Sequence, residues 1–134
     1  MNQDNKLLLK LKINLKNTYE IKAKDKTIVQ ILFDGDASGD YFKGTILPGA
    51  VDTQTIYPDG TGELSARYTI DGIDREGQKC KLYISNVAKM GDNKTTPKIT
   101  TNSQALSFFN NAAMYGEIVW VDNQMYINIY EIIY

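Results

Sequence analysis

The stretch TILPGAVDTQTIYPDGTGELSARYTI, Thr45 to Ile70, decides how the rest of the chain reads. Two runs rich in Thr, Val, Ile and Tyr flank Pro58-Asp59-Gly60-Thr61, with Pro where its φ is pre-set and Gly near the end. That is the signature of a turn between two strands, so the centre of the chain reads as a β-hairpin. Taking the turn as four residues pairs Tyr57 with Gly62. Counting back then sets Gln54 opposite Ser65 and Asp52 opposite Arg67, an acid facing a guanidinium inside a sheet.

Outward from this hairpin the pattern stays β. Leu7, Leu9, Leu11, Ile13 and Leu15 alternate with Leu8, Lys10, Lys12, Asn14 and Lys16, the period of two that marks a strand with one face buried. Thr27 to Phe33 reads as a second strand. Gln78 to Val87 alternates again, with Cys80, Leu82 and Ile84 on one face and Lys81, Tyr83 and Ser85 on the other. Met90 to Pro97 reads as a loop, and Ser103 to Asn111 as one or two helical turns with Ser103 as cap and Leu106 to Phe109 buried. A second hairpin turns at Asp122-Asn123. It sets Trp120 beside Met125, Ile118 beside Ile127 and Gly116 beside Ile129 on an apolar face. Val119 with Tyr126, Glu117 with Asn128, and Tyr115 with Tyr130 occupy the other. Eight or nine strands with almost no helix predict one all-β domain over residues 1–134, an antiparallel meander closed into a β-barrel, with a β-sandwich as the alternative.

Composition removes several classes of function. With 134 residues the chain can bury a core without staples. There is no histidine, which excludes Ser-His-Asp and Cys-His catalysis and imidazole metal sites. The lone Cys80 cannot form an internal disulfide and points to a reducing compartment. Charge is balanced, 15 basic against 16 acidic residues, so no overall field draws the chain to nucleic acid or to a membrane. The seven lysines up to Lys26 read as a solvated face, because aromatic stacking platforms are not regularly interleaved with them, Tyr19 alone lying among them. The opening Met1 to Lys12 is broken by charges and lacks the pattern of a signal peptide, and no run reaches the roughly 18 apolar residues of a membrane helix. A cytoplasmic protein without nucleic-acid or membrane partners is the expectation.

Asp34-Gly35-Asp36-Ala37-Ser38-Gly39-Asp40 copies the first half of a calcium loop, but Thr45 stands where the bidentate Glu belongs. An Asp/Gly-rich turn is the reading, with no metal and no cofactor implied.

The central block also resembles a known family of small bacterial and fungal proteins, the domain-of-unknown-function family numbered 3237. Its pattern runs LPGGADWQ, PDG, ELDARYTL, then IYVRNRG and a late YxWLN. The matching stretches here are Leu47 to Gln54, Pro58-Asp59-Gly60, Glu63 to Ile70, Leu82 to Asn86 and Phe108 to Asn110, with the closing Ile129 to Ile132. Ala50 replaces a Gly, Thr53 replaces the Trp, and the glycine after Asn86 is missing, so a shared ligand specificity does not follow. What the resemblance implies is a β-barrel of the kind seen in allene-oxide-cyclase-like and dirigent-like proteins, with no established activity. Tyr83 and Asn110 fall on family motif positions and could add a phenol and an amide to a shared cavity.

The candidate site is therefore Asp52, Gln54, Ser65 and Arg67, joined by Tyr83 and Asn110. In a binding barrel, Arg67 would hold an anionic or carbonyl oxygen of a small-molecule ligand and Asp52 would orient it. In a cofactor-independent isomerase, cyclase or lyase, Asp52 would act as base while Arg67 or Tyr83 polarises an oxygen. A third reading is an interaction protein without a cavity, and open strand edges with a Tyr-rich carboxyl end make a homodimer an expectation. The structural alternative for Asp52 and Arg67 is a cross-strand ion pair, worth no more than about 1 kcal/mol if exposed.

Overall fold

The computed structural model describes residues 5–133; Met1 to Asp4, at the head of the opening stretch, and Tyr134 lie outside them. Nine strands follow one another: β1 Lys6–Lys22, β2 Thr27–Ser38, β3 Phe42–Ile46, β4 Val51–Ile56, β5 Gly62–Asp74, β6 Lys79–Lys89, β7 Lys94–Thr101, β8 Met114–Val121 and β9 Gln124–Glu131. A single short 3₁₀ helix, Ser107–Asn110, stands among them. All pairings are antiparallel, and β1 hydrogen-bonds to both β9 and β2, so the sheet closes on itself. The fold is a barrel rather than a sandwich, its ring closed through β1 by the ladders to β9 and β2.

The ring has eight positions because β3 and β4 share one, between β2 and β5. Five steps from Ile46 to Val51 are matched by only three from Ile70 to Arg67, so the chain bows out by two residues over Leu47–Ala50. Pro48 has no N–H to give to a ladder, which is why pairing breaks there. An even excursion preserves the alternation of side chains, so Ile46, Ala50 and Asp52 stay on the inner side.

Alternate residues fill the interior as the patterning predicts: Leu9, Leu11 and Ile13 from β1, Tyr68 and Ile70 from β5, Cys80, Leu82 and Ile84 from β6, and Ile127 and Ile129 from β9. The β8–β9 register agrees pair for pair with the reading from sequence. Asp122 and Asn123 both have positive φ, 49° and 67°, the two-residue turn whose twist suits a hairpin. In β1 the register shifts between Leu7 and Leu9, which turns Leu7 outward at 45% exposed and buries Leu8.

Two expectations are corrected. Asp34 to Ser38 is no loop but the last part of β2, and among the described residues no group of three or more His, Cys, Asp or Glu is placed to hold a metal. Lys94 to Pro97, expected in a loop, begins β7. Pro97 is tolerated because the β7–β8 ladder holds only Lys94 with Glu117 and Thr95 with Gly116.

One end of the barrel is packed solid. Phe42 lies across Gly44 and Gly72, where a Cβ would meet its ring at 2.8 and 2.7 Å. Leu106 and Phe109, from the segment joining β7 to β8, are fully buried beneath it, and Tyr41 meets Phe108 edge to face at 5.7 Å. Asp74, buried at this end, accepts from the Ser103 hydroxyl at 2.7 Å and from the N–H groups of Glu76 and Gln78. These donors hold its carboxyl below the usual range, Ser103 contributing most. Ser103 Oγ in turn accepts from the Leu106 N–H at 3.1 Å, closing a turn ahead of the 3₁₀ helix; the helix N-cap is Leu106, without a side-chain cap, so Ser103 is not the cap expected of it.

Candidate functional site

The central hairpin forms, but its turn is one residue shorter than the four-residue reading assumed. Gly60 N–H donates to Tyr57 O and Tyr57 N–H to Thr61 O, so Pro58-Asp59-Gly60 is a three-residue loop. Gly60 takes the left-handed position at φ 90°, and Asp59 fixes the turn by accepting from the Thr61 N–H and hydroxyl. Tyr57 therefore pairs with Thr61 rather than Gly62, and a slip of one residue moves every side chain to the other face. Asp52 stands opposite Ala66, and Arg67 opposite Val51.

The expected Asp52–Arg67 pair is thereby overturned. Asp52 lines the barrel interior, while Arg67 is exposed on the outer surface. Ser65 shares that outer face, opposite Thr53, instead of facing Gln54. Gln54 does stay beside Asp52, its Nε2 donating to Asp52 Oδ2 at 3.1 Å. Tyr83 alternates outward from the buried Leu82 and Ile84 and is 42% exposed. Asn110, exposed in the 3₁₀ helix, accepts from the Thr101 N–H at 2.8 Å and pins that segment to β7. Of the six residues singled out, Asp52 and Gln54 come together and the other four lie elsewhere.

What surrounds Asp52 instead is a cavity of ≈ 60 Å³ in the half of the barrel away from the packed end. Its walls include Ile13, Phe33, Ile118, Met125 and Ile127, and two further lining residues, Leu15 and Val87, are 49% and 47% exposed. Four polar side chains reach it: Asp52, Tyr68, Asn86 and Thr95. Registers place them. Asp52, Ala66 and Asn86 lie in one row across β4, β5 and β6, and Ala66, with only a methyl group, leaves the space between its neighbours open.

Three of these groups are both buried and, among the described residues, unpartnered. Tyr68, Asn86 and Thr95 are 3%, 5% and 7% exposed, and Tyr68 Oη, Asn86 Oδ1 and Thr95 Oγ1 have no hydrogen-bond partner among the described residues. The Tyr68 ring is set edge to face against Phe33 at 5.2 Å, which fixes where its hydroxyl lies. Burial pushes the Tyr68 phenol well up, so it stays protonated. Burial also raises the Asp52 carboxyl above its usual range, partly offset by the bond from Gln54. Sequence reading missed Tyr68, Asn86 and Thr95, although Asn86 continues the buried face of Cys80, Leu82 and Ile84.

Comparisons with known proteins agree with this architecture. The chain is similar to a UPF0311 protein of Clostridium acetobutylicum, 44% identical over 55 residues; the match spans 41% of this chain and about a third, 32%, of that relative's length. A crystal structure from Clostridium acetobutylicum, of unknown function, superposes at a TM-score of 0.77 with 24% identity, covering 99% of both chains. A β-barrel-like protein from Acinetobacter baumannii does so at 0.79 with 17% identity, covering 99% of this chain and 98% of the other. A structure described as an enzyme from Penicillium herquei matches at 0.74 with 17% identity over 96% of each chain. Those likenesses carry the fold. Residues 5–89 match the family model described as "Protein of unknown function (DUF3237)", and the chain belongs to that family.

Proposed function

We propose that the protein is a small-molecule-binding barrel whose ligand enters at the open end and sits over Ala66, its polar part among Asp52, Tyr68, Asn86 and Thr95. One observation carries this reading: three side chains at least nine-tenths buried around one cavity keep polar atoms unpartnered. A buried polar group without a partner costs about 1–3 kcal/mol, and native interiors hold few of them. A ligand that supplies the partners recovers that cost, and the apolar walls supply the rest of its affinity. The cavity alone has room for only a few water-sized groups, so a larger ligand extends into the mouth beside Leu15. A reducing compartment, the cytoplasm, accords with the single buried Cys80 in thiol form. Ligand-observed NMR against a library of small fragments tests the proposal. Wild-type protein should give hits that Ala66→Leu, which fills the gap in the row, abolishes; hits unaffected by that change would place binding elsewhere.

The raised carboxyl of Asp52 favours a second reading, a cofactor-independent isomerase, cyclase or lyase acting on a small carbonyl substrate. Asp52 would be the base, and the Tyr68 hydroxyl, in place of Arg67 or Tyr83, would hydrogen-bond to the oxygen where charge develops. The likeness to a structure described as an enzyme accords with this reading. Turnover lost in both Asp52→Asn and Tyr68→Phe, with ligand binding retained, would select it.

A further inference from the structure

The cavity is lined by a carboxylate and three neutral polar side chains, with no cationic side chain among them. An anionic ligand would therefore be desolvated there without a counter-charge. Asp52 accepts one hydrogen bond in the structure, from Gln54, which leaves most of its acceptor capacity unused. Asn86 Oδ1 is an acceptor with no donor among the described residues, and the Thr95 and Tyr68 hydroxyls, each able to donate or accept, are likewise unpartnered. Asp52 and Asn86 are two strand spacings apart, roughly 9–10 Å between backbones, with the methyl of Ala66 as floor between them. A nitrogen above that methyl lies between both side chains.

Resting on the binding proposal above, we infer that this cavity selects a small apolar ammonium ion, its charge opposite Asp52 and a further N–H directed to Asn86 Oδ1. An ammonium brings a positive charge and three donors to a carboxylate and an unpartnered amide oxygen. An alcohol of the same shape brings one donor and leaves acceptors unpaired; a carboxylate brings further acceptors and a repelled charge. The apolar walls from Phe33, Ile118 and Ile127 suit the hydrocarbon part.

Three probes with the same branched C4 skeleton test this: isobutylammonium, isobutanol and isobutyrate, each titrated into the full ¹⁵N-labelled chain and followed by amide shifts. The expected result is that isobutylammonium moves the signals of Asp52, Ala66, Asn86 and Thr95. Its affinity should exceed that of isobutanol about five- to tenfold, the margin of a charge-assisted over a neutral hydrogen bond. Isobutyrate should leave those signals in place. In Asp52→Asn the preference should vanish. Lowering the pH through the Asp52 titration should weaken isobutylammonium but not isobutanol, a check that needs no variant. Isobutanol or isobutyrate binding as tightly as the ammonium would overturn the ligand class and leave the cavity reading standing. If none of the three moved those signals, both would fall.

Discussion

Asp52 and Asn86 stand in one row across the barrel wall with Ala66 between them, and both reach the same cavity. The row sets a half-buried carboxyl and a buried amide in one half of a barrel whose other half is packed with Phe42, Leu106 and Phe109. It also gives Asp52 a measurable penalty. Its carboxyl titrates above the ordinary range chiefly through burial, so the folded chain binds its proton more readily than the unfolded chain does. Stability contributed by this group falls as pH rises through that window and returns as pH falls. Asp52→Asn should therefore raise the Tm of the ligand-free protein at pH 7, and the gain over wild type should shrink toward pH 4. Paired thermal melts across that range measure it.

Arg67 is outside the cavity, so it should matter little. Arg67→Met is expected to change stability by no more than about 0.5 kcal/mol, the usual effect of a surface substitution. Combined with Asp52→Asn in a double-mutant cycle, it should show coupling within about 0.3–0.5 kcal/mol, as independent sites do. Urea melts of the four proteins give both numbers.

Most of the barrel was legible in the alternation of its strands, and the site was not, for a definable reason. The Asp122-Asn123 turn fixes the β8–β9 register because two residues needing positive φ sit between clean apolar pairs. At Pro58-Asp59-Gly60 the same logic admits a three- or a four-residue loop, and the difference inverts both flanking strands. Half-buried strands such as Val51–Ile56, with no strongly apolar face, offer no pattern to decide between them. Tyr68 was hidden by the same ambiguity, since it does not declare itself inward until the hairpin is placed, whereas Asn86 was already marked inward by its alternation with Cys80, Leu82 and Ile84. The β2 strand through Asp34–Ser38 escaped notice because its outward acids lie beside β1 residues such as Asn14 and Lys12 that were far off in sequence.

The packed end depends on two glycines. Gly72→Ala would drive a methyl group into the Phe42 ring and the Lys43 carbonyl, at a cost of about 1–3 kcal/mol for an overfilled core. Phe42→Ala removes the ring itself and should cost about 3–5 kcal/mol. Denaturant midpoints at constant slope would show both.

At the second hairpin, Asn123 is held at φ 67°. Asn123→Val should destabilise by about 1–2 kcal/mol, because a β-branched residue resists the left-handed region. Asn123→Gly should be neutral or mildly stabilising, with the Val121–Gln124 register intact. Stability curves with amide NOEs across the β8–β9 pair check the two together.

The claim on which the rest depends is that the space over Ala66 is a ligand site. Its most direct test is to purify wild type and Ala66→Leu side by side from the cells that make the protein, denature both, and compare the released small molecules by mass spectrometry. A molecule carried by wild type and absent from Ala66→Leu is the predicted result. The same molecule in equal amount from both, or none from wild type, would contradict it.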